Sequence, residues 1–398
     1  MTKTAKINRL CALCCVLAFC TLFARKTGFF YTEKFLKVKA DIERFYAVAP
    51  KKDFLYRLFF DYINITNRKH INGVTILNDG RLMIDEDHPI IYLNERADAI
   101  TALKEYLERK DTPFLYIRAP SKLRDNTQLP KLYDNDIIRN ADRFTALLND
   151  RGVDILDLRE QMTCDNLNFA DAFFYGDHHW TAETALWAFG KVGMIMNDKY
   201  GFQLDEKIWS PQEYDFFVYR KEFLGSESSR INDPRLKEDI TVIIPRFHTE
   251  FEIYNKIADE NNNGSATEMA ASGSFPDVFT PKVKNKNNEA FTYADLNSFE
   301  SGFWQYKNLT AREQKKILLV SDSFAYPFVT YLASALYCVD YFYLDNAANR
   351  KLYPVLENEN YDLAVFLVSD VVFSNYTAPS FEDDRLYIGS PPQNAYAK

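Results

Sequence analysis

From about residue 96 onward the chain alternates between short, almost wholly apolar runs and amphipathic stretches of helical period, and few folds accept that alternation. The apolar runs are PFLYIRAP (113–120), VDILDL (153–158), KILLVS (316–321), VDYFYL (339–344) and DLAVFLV (362–368). A strand apolar at successive positions, and not at every second one, is covered on both faces, as strands of a parallel sheet are. Residues 96–110, 136–150, 181–197 and 324–337 read as helices. Thr181 is placed to cap the third of these, with Glu183 in its first turn, and Gly152 punctuates the end of the second. In the last, Phe324, Phe328, Leu332 and Leu336 recur every four residues and form one stripe against a sheet. The pattern predicts an α/β fold of three layers around a mostly parallel sheet. Sheets of that kind hold ligands at the carboxyl ends of their strands.

The flanking segments divide the chain further. Lys3, Lys6 and Arg9 precede LCALCCVLAFCTLFA, and Arg25-Lys26 follow. An apolar run of about 15 residues behind a basic start has the form of an export signal. No clean small-x-small cleavage site follows it. Residues 1–30 are therefore expected to be an N-terminal membrane segment, an uncleaved signal anchor with the body outside the cytoplasm. Cleavage and secretion are the alternative. An amphipathic stretch at 33–62 makes 31–70 a helical stalk. Residues 71–208, opening on a hairpin around Asp79-Gly80, form the first part of the α/β domain. Residues 209–312 read as a β-rich insertion, with DFFVY and ITVIIPRF as strands and an Asn/Ser/Gly-rich flexible loop at 259–290. Residues 313–375 complete the domain, and 376–398 form a tail.

Composition removes several classes of function. Hydrophobic residues make up 47% and charged residues 26%, the balance of a globular chain. The net charge of -8, with no Lys/Arg cluster on the body, argues against a nucleic-acid partner. Four of the six cysteines lie in the first apolar run, leaving Cys164 and Cys338 for the body, so neither a disulfide scaffold nor a cysteine zinc site is indicated.

Two segments carry candidate chemistry. In LLVSDSFAYP (318–327), Ser323 sits where a buried strand turns into a helix. That junction lifts a side chain above the sheet edge and sets it beside free backbone N–H groups able to hold an oxyanion. The same residues could simply cap the helix, through Ser323 or Asp322. In FFYGDHHWTAE (173–183), two of the chain's five histidines adjoin an aspartate. An extended segment would point Asp177 and His179 the same way and His178 the other, so that Asp177 orients an imidazole whose second nitrogen faces a serine. The alternative is a surface turn with histidines packed on Trp180. No metal is expected here, because adjacent histidines diverge and no further His/Cys cluster supplies ligands.

With the order D-H-H-W first and S-D-S-F much later, the chain resembles the SGNH-hydrolase-like proteins of the alginate O-acetyltransferase (AlgX/AlgJ-like) type, in their DHHW branch. FLYIRAPSK is similar to the family strand ending in P-x-K (Pro120 and Lys122), DFFVYRKEFLGS to the segment with a Gly-Ser turn (Gly225-Ser226), and YDLAVFLVSD to the final strand. The resemblance implies a flavodoxin-like SGNH fold over about 70–375, with Ser323, His179 and Asp177 catalytic. It adds Gly225, Trp180 and Lys122 as substrate or oxyanion residues, the ring of Trp180 stacking on sugars. Two positions depart from the family pattern. Ser321 stands where a glycine usually precedes D-S, and Arg350 is displaced within LDNAANRK. The implied function is extracytoplasmic O-acetylation of a cell-surface or exopolysaccharide, without a cofactor, beside a membrane-bound acyltransferase that supplies acetyl groups. A glycan O-deacetylase or esterase, and a non-catalytic glycan-binding component of a polysaccharide assembly complex, are the alternatives.

Overall fold

The computed structural model describes residues 69–84, 92–131, 133, 135–231, 234–259, 264–280, 290–299, 302–344, 352–357, 359–373 and 386–389. All lie in the compact unit Arg68–Lys398. The expected anchor, nearly all of the stalk and tail, and Arg350 fall outside the described residues. Among the described residues no helix is long and apolar enough to cross a membrane.

The body opens with a small antiparallel sheet of β1 (His70–Ile71), β2 (Val74–Ile76) and β3 (Leu82–Ile84). The hairpin expected around Asp79-Gly80 joins β2 to β3. Gly80 takes φ 92° there, a left-handed conformation that a side chain would strain.

Among the described residues the central sheet has eight strands. They are β4 (Phe114–Ala119), β5 (Asp154–Asp157), β8 (Phe251–Asp259), β9 (Gly264–Gly273), β10 (Phe303–Asn308), β11 (Glu313–Ser321), β12 (Leu336–Tyr343) and β13 (Leu363–Ser369), in the order β5-β4-β13-β11-β12-β10-β8-β9. The remaining strands, β6 (Tyr214–Phe223) and β7 (Glu238–Pro245), pair as a separate antiparallel ribbon. All five runs read as buried strands lie in the parallel part, from β5 to β12.

Successive residues of these strands face opposite layers. Leu115 and Ile117 of β4, Ile317 and Leu319 of β11, and Leu363, Val365 and Leu367 of β13 enter one core with helices α3 (Ala182–Tyr200) and α4 (Ala325–Ala335). Phe114 and Tyr116, Leu318 and Val320, and Ala364, Phe366 and Val368 enter the other with α1 (Leu93–Glu108) and α2 (Ile137–Asp150). Two cores on two faces explain why these strands carry apolar residues at successive positions. Thr181 caps α3 as expected, accepting from Thr184 N at 3.3 Å.

Two features depart from the sequence reading. The sheet is mixed: β10, β8 and β9 continue it antiparallel beyond β12. The segment read as an insertion thus extends the main sheet through β8, β9 and β10, while β6–β7 stands apart from it. Ten residues of the expected flexible loop are in fact the edge strand β9, GSATEMAASG. An edge strand needs a partner on one side only, so small and polar residues serve there.

Candidate active site

Ser323 lies just beyond the carboxyl end of β11, before the first turn of α4. Asp322 fixes this turn. Its Oδ1 accepts from Phe324 N at 3.0 Å, and its Oδ2 accepts from both the backbone N (2.8 Å) and the Oγ (2.7 Å) of Ser369 at the end of β13. Neither Asp322 nor Ser323 caps α4 through its side chain: Asp322 holds the turn before the helix, and the Ser323 hydroxyl is left for other work. Burial pushes the Asp322 carboxyl above its ordinary value despite those three bonds. Ser321 ends β11 as a buried residue whose Oγ donates to the Asp322 carbonyl at 3.2 Å.

The D-H-H-W segment meets this turn across the sheet rim. His179 Nε2 lies 2.7 Å from Ser323 Oγ, and His179 Nδ1 lies 2.6 Å from Asp177 Oδ1. Asp177 Oδ1 also accepts from His179 N (3.0 Å), and its Oδ2 accepts from Ser226 N (2.7 Å). These three bonds hold the aspartate in one orientation. With Nδ1–H given to Asp177, Nε2 is the bare nitrogen, an arrangement able to accept the serine proton. Burial works against the charge of Asp177, but His179, His178 and the Ser226 N–H outweigh it and hold its carboxyl well below the usual range. Burial pushes the His179 imidazole down to about 4, with His178 adding to the shift and Asp177 opposing it. The base is therefore neutral at neutral pH, as a proton acceptor must be.

The segment is a tight bend, not an extended strand. His178 consequently does not point away: its ring centroid is 3.9 Å from that of His179. Tyr293 stacks on His179 at 3.8 Å, with the planes 10° apart. Two rings cannot share one face at such distances, so His179 is held between them. The carboxylate of Glu238 clamps the start of the bend, accepting from Tyr175 N (2.5 Å) and Gly176 N (2.7 Å).

Three residues expected to meet substrate or oxyanion lie elsewhere. Trp180 is wholly buried and donates from Nε1 to the Phe324 carbonyl at 2.9 Å, so its ring is core and cannot stack on a sugar. Lys122 is only 2% exposed; its Nζ reaches the Tyr175 carbonyl at 3.3 Å and Glu227 Oε1 at 3.9 Å, behind the bend. Gly225 packs on the aspartate side: a Cβ there would stand 2.1 Å from the Gly176 carbonyl oxygen and 2.6 Å from Asp177 Cβ. Its absence of a side chain lets Ser226 N reach Asp177. Sequence reasoning missed the supporting parts. Ser226 figured only as half of a Gly-Ser turn, and nothing around Tyr293 or Ser369 marks either.

Ser323 opens into a cavity of about 370 Å³ lined by His178, Asp322, Phe324, Tyr343, Ser369 and Val372, among others. A larger groove of about 1090 Å³ runs past Phe173, Tyr175 and Trp187, but neither Ser323 nor either histidine lines it. Ser323 and His178 face the smaller cavity. The ligand atoms of Asp177, His178 and His179 fall within 4.8 Å of one another. Both ring nitrogens of His179 and both oxygens of Asp177 are already committed to the bonds above, so the three do not offer three free ligand atoms to a metal.

Residues 86–209, which include Asp177 and His179, match the family model "SGNH hydrolase-like domain, acetyltransferase AlgX". No curated protein matches the chain. Among solved structures, Bacillus cereus PatB1 carrying a sulfonyl adduct aligns at 17% identity and a TM-score of 0.61, over 80% of this chain and 98% of PatB1. A DHHW family protein from Eubacterium siraeum aligns at 11% identity and a TM-score of 0.57, over 81% of this chain and 98% of that one. At such identities the likeness is one of fold. The resemblance read from the D-H-H-W and S-D-S-F motifs therefore holds: the chain carries the SGNH hydrolase-like α/β fold, with the segment around Asp177 and His179 matching the AlgX family model.

Proposed function

We propose that the chain is a serine-dependent acyltransferase that O-acetylates a polysaccharide at the cell surface, using Ser323, His179 and Asp177. The reading rests chiefly on the unbroken relay from Asp177 through His179 to Ser323, with bonds of 2.6 and 2.7 Å. His179 Nε2 takes the Ser323 proton as Oγ attacks the acetyl carbonyl of the donor. The carbonyl electron pair moves onto oxygen, which the backbone N–H of Ser323 at the head of α4 would stabilise. Collapse expels the donor's leaving group with the proton from His179. An acceptor hydroxyl then gives its proton to Nε2 and attacks the acetyl-serine, and the proton returns to Oγ as the ester product leaves. No cofactor enters these steps.

The acetyltransferase description of the matching family model supports acetyl as the group moved. The basic, apolar N-terminal segment supports a body tethered at the membrane and working outside the cytoplasm, where a membrane-bound acyltransferase would supply acetyl groups. To test the reading, the full-length protein is incubated with an acetyl ester donor and a polysaccharide acceptor, and acetylated product is followed by mass spectrometry. Wild type should acetylate the glycan and Ser323→Ala should not. Acetyl release with water as the only acceptor would make the protein an esterase, and equal product from both proteins would remove Ser323 from the reaction.

A further inference from the structure

His178 contributes no bond to the relay, yet it is the ring that lines the Ser323 cavity beside it. Its own contacts determine which nitrogen is free. Ser226 Oγ donates its single hydrogen to Glu227 Oε2 at 3.0 Å. The contact between Ser226 Oγ and His178 Nδ1, 3.2 Å, must then run the other way, with Nδ1–H donating. A neutral His178 therefore presents a bare Nε2, and that atom has no protein partner among the described residues. Glu227 is completely buried, with Oε1 unbonded at 3.7 Å from His178 Nδ1 and 3.9 Å from Lys122 Nζ. A carboxylate buried at such cost fixes the Ser226 hydrogen, and through it the His178 tautomer. Asp177, His179 and Asp322 complete the charged or titratable surroundings of the ring.

We propose that His178 selects the acceptor: Nε2 accepts a hydrogen bond from a hydroxyl adjacent to the one being acetylated, so the site prefers a vicinal diol of a sugar ring to an isolated hydroxyl. The inference rests on the acyl-transfer reading above. Its geometric basis is the pairing of two imidazoles 3.9 Å apart, His178 on the cavity wall and His179 beside it, bonded to the Ser323 hydroxyl that opens into the same cavity. His179 takes the proton of the reacting hydroxyl, and His178 holds its neighbour without exchanging a proton.

The experiment uses the full-length protein, a chromogenic acetyl ester as donor, and two acceptors: a methyl glycoside with vicinal hydroxyls and its deoxy analogue lacking the neighbouring one. The readout is the ratio of kcat/KM for the two acceptors in wild type, His178→Leu, His178→Gln and Ser226→Ala. Wild type should favour the diol by about tenfold, the worth of one hydrogen bond between uncharged groups. His178→Leu should bring the ratio close to one. His178→Gln, whose amide oxygen can accept, should restore part of it, a rescue that a purely structural role for His178 would not give. Ser226→Ala, which removes the tautomer lock but keeps its backbone N–H on Asp177, should lower the ratio and decides the matter if the leucine variant does not fold. A wild-type ratio near one, or an undiminished ratio in both His178→Leu and Ser226→Ala, overturns the inference. So does acetyl release to water alone, which leaves serine chemistry intact. A wild type that releases no acetyl from the donor overturns the acyl-transfer reading with it.

Discussion

Trp180 Nε1 donates to the carbonyl of Phe324 at 2.9 Å, a bond across 144 positions that ties the segment bearing the imidazole to the turn bearing the hydroxyl. The second donor to that carbonyl, Tyr293 Oη, is longer at 3.4 Å. Trp180→Phe keeps much of the ring and removes the N–H. It should cost about 1–2 kcal/mol in stability and lower kcat by loosening the His179–Ser323 distance, while KM for a glycan stays unchanged. Urea unfolding and steady-state kinetics check this; a rise in KM alone would return the ring to sugar stacking.

Gly225→Ala places a methyl 2.1 Å from the Gly176 carbonyl oxygen. Backbone cannot yield as a side-chain tip does, so the two loops must separate. The variant should lose about 1–3 kcal/mol, and kcat/KM should fall by about a hundredfold as Ser226 N moves off Asp177. Thermal melting and ester hydrolysis provide the measurements.

The pH profile follows from the buried base. Only neutral His179 can accept the Ser323 proton, so activity is lost as pH falls through its pKa. Burial depresses that pKa from the ordinary 6.5 to about 4. The expected kcat/KM is flat from pH 8 down to 6, with its acid limb centred well below 6.5. A limb at or above 6.5 would mean that Asp177 outweighs burial.

At the same carboxyl edge, Arg118 of β4 binds Asp370, beyond β13, through Nε (2.7 Å) and Asp157 through Nη1 (3.0 Å). Arg118 and Asp370 are both buried. Arg118→Met should destabilise the fold by about 3–5 kcal/mol, since Asp370 is left without its cation. Chemical denaturation of the single variant and of Arg118→Met with Asp370→Asn tests this, and the double variant should recover part of the loss.

The parallel half of the sheet and the meeting of two distant motifs were legible because each has a local signature. Strands buried on both faces carry apolar residues at successive positions, and a serine at a strand-to-helix junction is lifted to the rim. The antiparallel half was not legible. β9 is an edge strand of small and polar residues, and β10 (FWQYKN) mixes aromatic with polar residues and has no continuous apolar run. Side-chain roles failed where burial decides them: Trp180 and Lys122 have the chemistry to bind a glycan, but each is enclosed behind the bend. His178 was misplaced because Asp177 caps the backbone of His179 and turns the segment, and period-two reasoning applies only to extended chain.

The central claim is that Ser323 is a nucleophile because His179 takes its proton. Treating the full-length protein with an aromatic sulfonyl fluoride and mapping the adduct by peptide mass spectrometry tests it most directly. The account predicts one sulfonyl group on Ser323 in wild type, and none on that peptide in Ser323→Ala or His179→Ala. Equal labelling of Ser323 with and without the imidazole, or no labelling in wild type, would contradict it.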